Sequence, residues 1–324
     1  MIEITLLADE SYGVRSMCTF VETPDINILL DAGVSLAPRR FGYPPHPFEF
    51  DALRKARERI IEFSELADIV TLSHYHLDHY TPPHKGRYEW TDENTYKKIY
   101  GDKIVLAKNF QENINFHQSK RGYIFNKYVS EIAYKLHFVD AKNVKIGNTI
   151  LSFSPPLPHG LDNTKLGYVL LLTIERGGMK IMFAPDVQGP ISERVLQYIV
   201  KERPMVLIIG GPPIYLMGSK FSEQDINKGL SNLVYLIRKS FVKKIIVSHH
   251  FLRDINWRRE LESRLEKKYF SKIYTSAEYN REENLFLEGV RDKIWKDDPP
   301  KKEFLDWLKN RENFSLNIDF YSMI

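Results

Sequence analysis

The chain has 324 residues, 43% of them hydrophobic and 27% charged, which is enough apolar material for a sizeable core and excludes a disordered protein. Its single cysteine, Cys18, excludes an intrachain disulfide framework and any CxxC metal site, so a metal would have to be held by histidine and carboxylate; a reducing, cytoplasmic setting fits. A net charge of +4 is too small to mark a nucleic-acid protein. The apolar runs fall well short of the roughly 18 to 20 residues of a membrane span, so no membrane partner is expected.

The chain opens on MIEITLLADESYG, which has neither a basic start nor a small-residue cleavage site, so export is not expected. Strands are predicted in IEITLLA, MCTFVET and NILLDAG. The Pro-rich stretch Leu36 to Phe50 follows, long enough to be a functional loop, with Arg39, Arg40 and His46 as candidates for contact with substrate. His46 could equally cap a turn. A helix over Phe50 to Leu66 leads to the strand DIVTLSH. Residues 84–135, rich in lysine and aromatics, are expected to be an inserted lid, although KIVLAKN within them reads as a strand. A helix is predicted over Lys120 to Leu136, then strands TILSFSP, GYVLLLTIE and MKIMFAPD, a helix over Ile191 to Glu202, and the strand MVLIIGG. Ser222 and Asp225 form a capping box that opens a helix to Lys239. The strand KKIIVSHH and helices over Asn256 to Lys268, Ala277 to Trp295 and Lys302 to Arg311 complete the series. Strands flanked by helices imply a layered α/β protein: one main domain, 1–295, with a helical extension, 296–324, packed on it. Two strand-rich halves, about 1–160 and 165–250, could be pseudo-symmetric.

The densest chemical signal is HYHLDH at 74–79, placed directly after the apolar run ADIVTLS. In an extended strand end, residues two apart project to one side, so His74 and His76 can grip one ion together. If the chain then turns, Asp78 and His79 face the same space and can hold a second. Two coordination shells need further donors. They are available at other strand ends: His159 after TILSFSPPLP, Asp186 after MKIMFAP, and His249 and His250 after KKIIVS. Layered α/β scaffolds collect such ligands along one edge.

This series resembles the metallo-β-lactamase superfamily, and most closely its uncharacterised archaeal branch of predicted metal-dependent hydrolases. The resemblance covers about residues 1–251, through Asp31 in NILLDAG, HYHLDH, His159 in PHG, Asp186 in APD and the histidine of SHH. It implies a four-layer αββα sandwich with two metal ions on one edge. His74, His76 and His159 would bind the first ion, Asp78, His79 and His249 the second, and Asp186 would bridge both. His249 is preferred to His250, which would stand behind the metals or serve as a proton donor. Asp31 would support the metal loop by hydrogen bonds. The chain departs from the pattern at Pro82–Pro83, where relatives commonly carry a glycine, and at Pro185 before the bridging aspartate.

The implied activity is that of a binuclear metal-dependent hydrolase, with a metal-bridging hydroxide attacking an ester-type bond, phosphoesters ahead of carboxylic esters, thioesters or lactones. Zinc is the default for such donors, with manganese or iron compatible. Asp78 and His250 are the candidate catalytic residues, and Arg39, Arg40, His46 and His84 the candidate substrate contacts. A small molecule or phosphoester is the expected partner, and nucleic acid would fit Tyr88, Trp90, Tyr96 and Tyr100 interleaved with Lys97 and Lys98. Alternative readings are a non-catalytic metal-binding protein that uses the insert to contact a partner, and a di-iron redox enzyme. His76 stands where the flavodiiron branch usually has glutamate.

Overall fold

Each parallel strand needs a covered crossover back to its neighbour, and the apolar runs of this chain alternate with helices that supply those crossovers. The computed structural model describes residues 1–310 and 314–323. Its first sheet runs β1 (Glu3–Leu6), β2 (Thr19–Glu22), β3 (Asn27–Leu30), β4 (Ile69–Leu72), β5 (Ile104–Ala107) and β6 (Lys135–Phe138) in spatial as in chain order. The first three pair antiparallel, and β3 to β6 pair parallel. Helices α1 (Pro47–Leu66), α2 (Glu93–Tyr100) and α3 (Phe116–Ile132) make the crossovers.

The second half repeats this plan. An antiparallel section holds β7 (Asn143–Ile146) and β8 (Thr149–Phe153), then a short ribbon of β9 (Leu157–Pro158) and β10 (Tyr168–Val169), then β11 (Leu172–Arg176) and β12 (Met179–Ala184). A parallel section follows: α4 (Glu193–Glu202), β13 (Val206–Gly210), α5 (Glu223–Arg238), β14 (Lys244–Ser248), α6 (Trp257–Glu262) and β15 (Ile273–Tyr274). The seven main strands lie in the order β15-β14-β13-β12-β11-β8-β7. Helices α7 (Ser276–Asn280), α8 (Arg291–Asp297) and α9 (Lys302–Lys309) end the chain.

Period-two alternation builds the layers. Ile28 and Leu30 of β3 and Ile246 of β14 fill the space between the sheets, whereas Leu29 points to α1–α3, and Ile245 and Val247 to α4–α6. The result is a four-layer αββα sandwich. The parallel strands of both sheets point their C-terminal ends at one edge.

Four features differ from the sequence expectation. Residues 84–135 are not an added lid: β5 lies inside the first sheet, paired to β4 on one side and β6 on the other, and α2 and α3 cover it. Trp90, Tyr96 and Tyr100 are accordingly buried core residues rather than a stacking surface for bases. The seam between the halves falls near residue 140, because β7 and β8 already belong to the second sheet. The helix expected over Ala277 to Trp295 is broken after Asn280, where Arg281 turns left-handed at φ 65°, and it resumes at α8. Of the predicted Lys302 to Arg311 helix, Arg311 lies outside the described residues.

The C-terminal extension completes the first helical layer. Phe304 and Phe320 are buried, their rings 5.9 and 5.6 Å from that of Phe50. A fully buried, bidentate pair of Arg291 and Glu49 (2.8 and 2.7 Å) ties α8 to the start of α1. Among the described residues no helix is long and apolar enough to cross a membrane.

Candidate metal centre

The loop after β4 is held by the strand beside it. Asp31, one residue past β3, accepts hydrogen bonds from the Ser73 backbone N–H (2.7 Å) and the Ser73 hydroxyl (2.5 Å), and lies 2.8 Å from His79 Nδ1. That contact leaves the other ring nitrogen of His79 for the cavity side, as carboxylate-supported ligands require. Gly33 is demanded by proximity: a Cβ there would overlap the backbone of His79 and Tyr80. Asp31 (φ 46°), Asp186 (φ 51°) and His249 (φ 58°) are all left-handed, each immediately past a strand or one residue beyond it. Such conformations cost about 1 to 3 kcal/mol each and persist where surrounding structure enforces them.

Four chain segments, its own included, meet at Asp186. Its Oδ2 lies 3.1 Å from His74 Nε2, 3.6 Å from His76 Nδ1, 3.2 Å from His79 Nε2 and 2.9 Å from His159 Nε2. Its Oδ1 faces His249 Nε2 at 2.9 Å and His250 Nε2 at 3.3 Å. Asp78 Oδ2 stands 3.5 Å from His249 Nε2. Two groups of donors therefore form, His74, His76, His159 and Asp186 on one side and Asp78, His79 and His249 on the other, each with its ligand atoms within 4.8 Å of one another. His250 joins Asp186 and His249 in a third. Adjacent strand residues would face opposite ways, yet His249 and His250 both reach Asp186, because β14 ends at Ser248 and a tight 3-10 turn, His249–Arg253, follows.

The protonation pattern is that of donors crowded without enough positive charge. Burial pushes His74 and His76 down from the ordinary imidazole range, leaving the neutral form that a metal binds. Burial acts the same way on His79 and His249, but the carboxylates outweigh it: Asp186 and Asp31 raise His79 well above its ordinary value, and Asp186 and Glu10 bring His249 to about 9. Asp78 and Asp186 are held far below the carboxylate range, against their burial, by His249 together with His79 or His159. Among the described residues, the buried His79 Nε2, His159 Nε2 and Asp186 Oδ1 have no hydrogen-bond partner. Orphaned donor atoms of this hardness, aimed into one space, fit divalent cations.

A second support lies behind His249, and its residues carry no motif in the sequence. Arg253 donates to His250 Nδ1 (3.0 Å) and reaches both nitrogens of His249 (3.2 and 3.0 Å), so it sits over that ring or its Cε1 edge rather than on one lone pair. Glu10 anchors Arg253 at 2.7 Å and lies 3.2 Å from His249 Nδ1. Ser248 bonds Asp9 at 2.7 Å. The signal available for Arg253 was its place four residues after His249, one turn along the same segment.

The donors open into a cavity of about 450 Å³ that Arg15, Arg39, Arg40, Gln188, Tyr215, Lys220 and Arg253 also line. Arg39 and Arg40 thus border the site. His46 and His84 do not. His46 is the N-cap of α1, with Nδ1 accepting from the Phe48 N–H and Nε2 2.7 Å from the Asp298 carbonyl. His84 lines a separate cavity of about 820 Å³ beside Lys85 and Arg87. Arg87 clamps the carbonyls of Leu308 and Asn310 and stacks on Trp307.

Among solved structures, a possible metal-dependent hydrolase from Veillonella parvula matches with a TM-score of 0.50 at 14% identity, covering 85% of this chain and 95% of that one. A metal-dependent hydrolase of the β-lactamase superfamily gives a TM-score of 0.46 at 14% identity, covering 85% and 96%. Fold and site define a four-layer αββα sandwich with a His/Asp cluster suited to metal at one edge. No family model matches the chain. A UPF0282 protein of Methanopyrus kandleri is 41% identical over 293 residues, 90% of this chain and 99% of that one. The chain belongs to the UPF0282 family.

Proposed function

We propose that this protein is a binuclear metal-dependent hydrolase that cleaves an ester-type bond, phosphoesters ahead of other esters. The observation that carries the reading is the Asp186 carboxylate, whose two oxygens divide two sets of imidazoles, Oδ2 facing His74, His76, His79 and His159 and Oδ1 facing His249 and His250. In this reading His74, His76 and His159 would hold one ion and Asp78, His79 and His249 the other, with the Asp186 carboxylate available to both; zinc is the default metal. His249 is the ligand because it faces both Asp78 and Asp186, whereas His250 is partly exposed at the cavity edge. Bound divalent ions supply Lewis acidity and water acidified towards neutral pH.

The chain's own residues orient and exclude. Asp31 and Glu10 face the Nδ1 atoms of His79 and His249 and fix which nitrogen points inward. Arg253 donates to His250 Nδ1, which leaves the His250 proton on Nε2, at the cavity, where it can serve a leaving oxygen. Burial and the neighbouring Arg253 push the His250 pKa well down, so it acts as a neutral hydrogen-bond donor and relay rather than as a charged acid. Metal analysis of the purified protein tests the reading, with bis(p-nitrophenyl) phosphate and a thioester as generic substrates and His76→Ala as control. Two equivalents of metal and phosphodiester hydrolysis lost in His76→Ala are expected. Activity that survives the substitution, or protein that takes up no metal, removes the hydrolase reading; iron with redox activity would favour the di-iron alternative.

A further inference from the structure

The cations around the cavity fall into two kinds. Arg15 is neutralised by Glu288 through two contacts of 2.6 Å, and Arg253 by Glu10. Arg39, Arg40 and Lys220 line the same cavity and form no ion pair among the described residues. Arg40 is the most constrained of the three. Its guanidinium lies 4.4 Å over the Tyr215 ring and donates one hydrogen bond, to the Arg253 carbonyl at 3.3 Å, while its buried Nε has no partner among the described residues. The charge is thus held against the Tyr215 and Phe41 rings, 4.4 and 4.5 Å from their centroids, with Glu288 and Asp254 acting on it only from beyond ion-pair distance. Burial lowers the pKa of Arg40 and the more distant Glu288 offsets this only in part, whereas the more deeply buried Arg15 is raised by its direct pairing with Glu288.

Arg40 is also wired to the metal centre at a fixed remove. Tyr215 Oη lies 3.1 Å from His250 Nδ1, and His250 Nε2 lies 3.3 Å from Asp186 Oδ1. One phenol ring and one imidazole therefore separate the guanidinium from the bridging carboxylate. A group bound by Arg40 lies beyond the reach of the reacting bond yet within the same cavity. Three unneutralised cations match the double charge and several oxygens of a phosphate better than the single charge of a carboxylate, and the planar fork of an arginine suits either shape.

Resting on the hydrolase reading above, we propose that the substrate carries a second, non-reacting phosphate group, held by Arg40 with Arg39 and Lys220 while the scissile bond sits at the metal cluster. Arg40 is then a specificity residue and has no part in the chemistry.

The test uses the metal-loaded protein at fixed ionic strength and α,ω-alkane bisphosphates of three to six carbons, titrated against the alkyl monophosphates of the same lengths. Wild-type protein should bind at least one bisphosphate about tenfold more tightly than its monophosphate. Arg40→Gln should erase that difference without changing monophosphate binding or metal content, and Arg40→Lys should restore part of it. Lys220→Gln, at an exposed position, should lower it partially. Equal affinity for the two series, or a preference that survives Arg40→Gln, overturns the proposal. Phosphoalkanoates that bind as tightly as the bisphosphates overturn the phosphate assignment. Loss of metal from wild type instead marks failure of the hydrolase reading, and the bisphosphate comparison still decides whether Arg40 selects for a second phosphate.

Discussion

The two halves of the sandwich share one strand plan and supply the centre in opposite ways. In the first half a single loop after β4 brings His74, His76, Asp78 and His79 within six residues, and its brace, Asp31, comes from the neighbouring strand. In the second half His159, Asp186 and His249 come one at a time from loops after β9, β12 and β14. Their braces come from far along the chain: Asp9 and Glu10, after β1, hold Ser248, His249 and Arg253. The first half is a local device and the second a convergence. A local loop tolerates change elsewhere in the fold, whereas a convergence depends on the two sheets keeping their register.

The largest effect should come where the halves join. Asp186→Ala removes the carboxylate whose two oxygens face imidazoles from both halves, and hydrolysis of bis(p-nitrophenyl) phosphate should fall about 10³-fold, near 4 kcal/mol, with loss of metal measured on the same sample. Retention of two equivalents of metal would show that the halves hold their ions independently.

The second-half brace has a pH signature. Burial, reinforced by Glu10, raises the Asp9 carboxyl to about 6 against the opposing hydroxyls of Ser11, Ser276 and Ser248. An acid whose pKa is higher in the folded state than in the unfolded chain favours folding most when protonated. Its contribution is complete below pH 4 and is lost as pH rises through 6, up to about 3 kcal/mol. Asp9→Asn keeps the neutral form at every pH. Chemical denaturation from pH 4 to 7 should show the variant gaining on the wild type by that order as pH rises, and a constant difference would contradict the assignment.

Comparing the braces directly sharpens the contrast. Asp31→Ala frees the Ser73 N–H, its hydroxyl and His79 together, and should cost about 10- to 100-fold in metal affinity by chelator competition. Glu10→Gln keeps the shape and leaves Arg253 over His249, so its cost should stay below about tenfold. The reverse order would make the second-half brace dominant. The smallest effect belongs outside both devices: His46→Ala should lose about 1 kcal/mol of stability as a helix cap while metal content and hydrolysis stay unchanged.

Legibility followed the same division. HYHLDH could be read because its donors are neighbours in the chain, and the alternation of Ile28, Leu29 and Leu30 gave a strand with two covered faces. KIVLAKN was readable as a strand but not as the interior of the sheet, since its partners Ile69 and Lys135 lie more than thirty residues to either side. β6 and β7, KLHF and NVKI, are half-exposed strands with charged residues on their open face, so no apolar run marks them. Arg253, Tyr215 and Glu10 belong to no motif. Their role exists only because a 3-10 turn after Ser248 folds one helical turn back over His249 and His250.

Residue spacing and side-chain chemistry by themselves determined the strand and helix series, the absence of thiol ligands, and a set of imidazoles and carboxylates at strand ends, because these depend on near neighbours and on composition. The tertiary structure alone decided which of these meet. Hydrogen bonding within and packing between two sheets place residues 74–79, 159 and 249 around the Asp186 carboxylate with Asp31 behind His79, take His46 and His84 away from it, and leave Arg40 on the wall of the same cavity, outside any ion pair. Such distances are set by packing between remote segments, which no local pattern encodes.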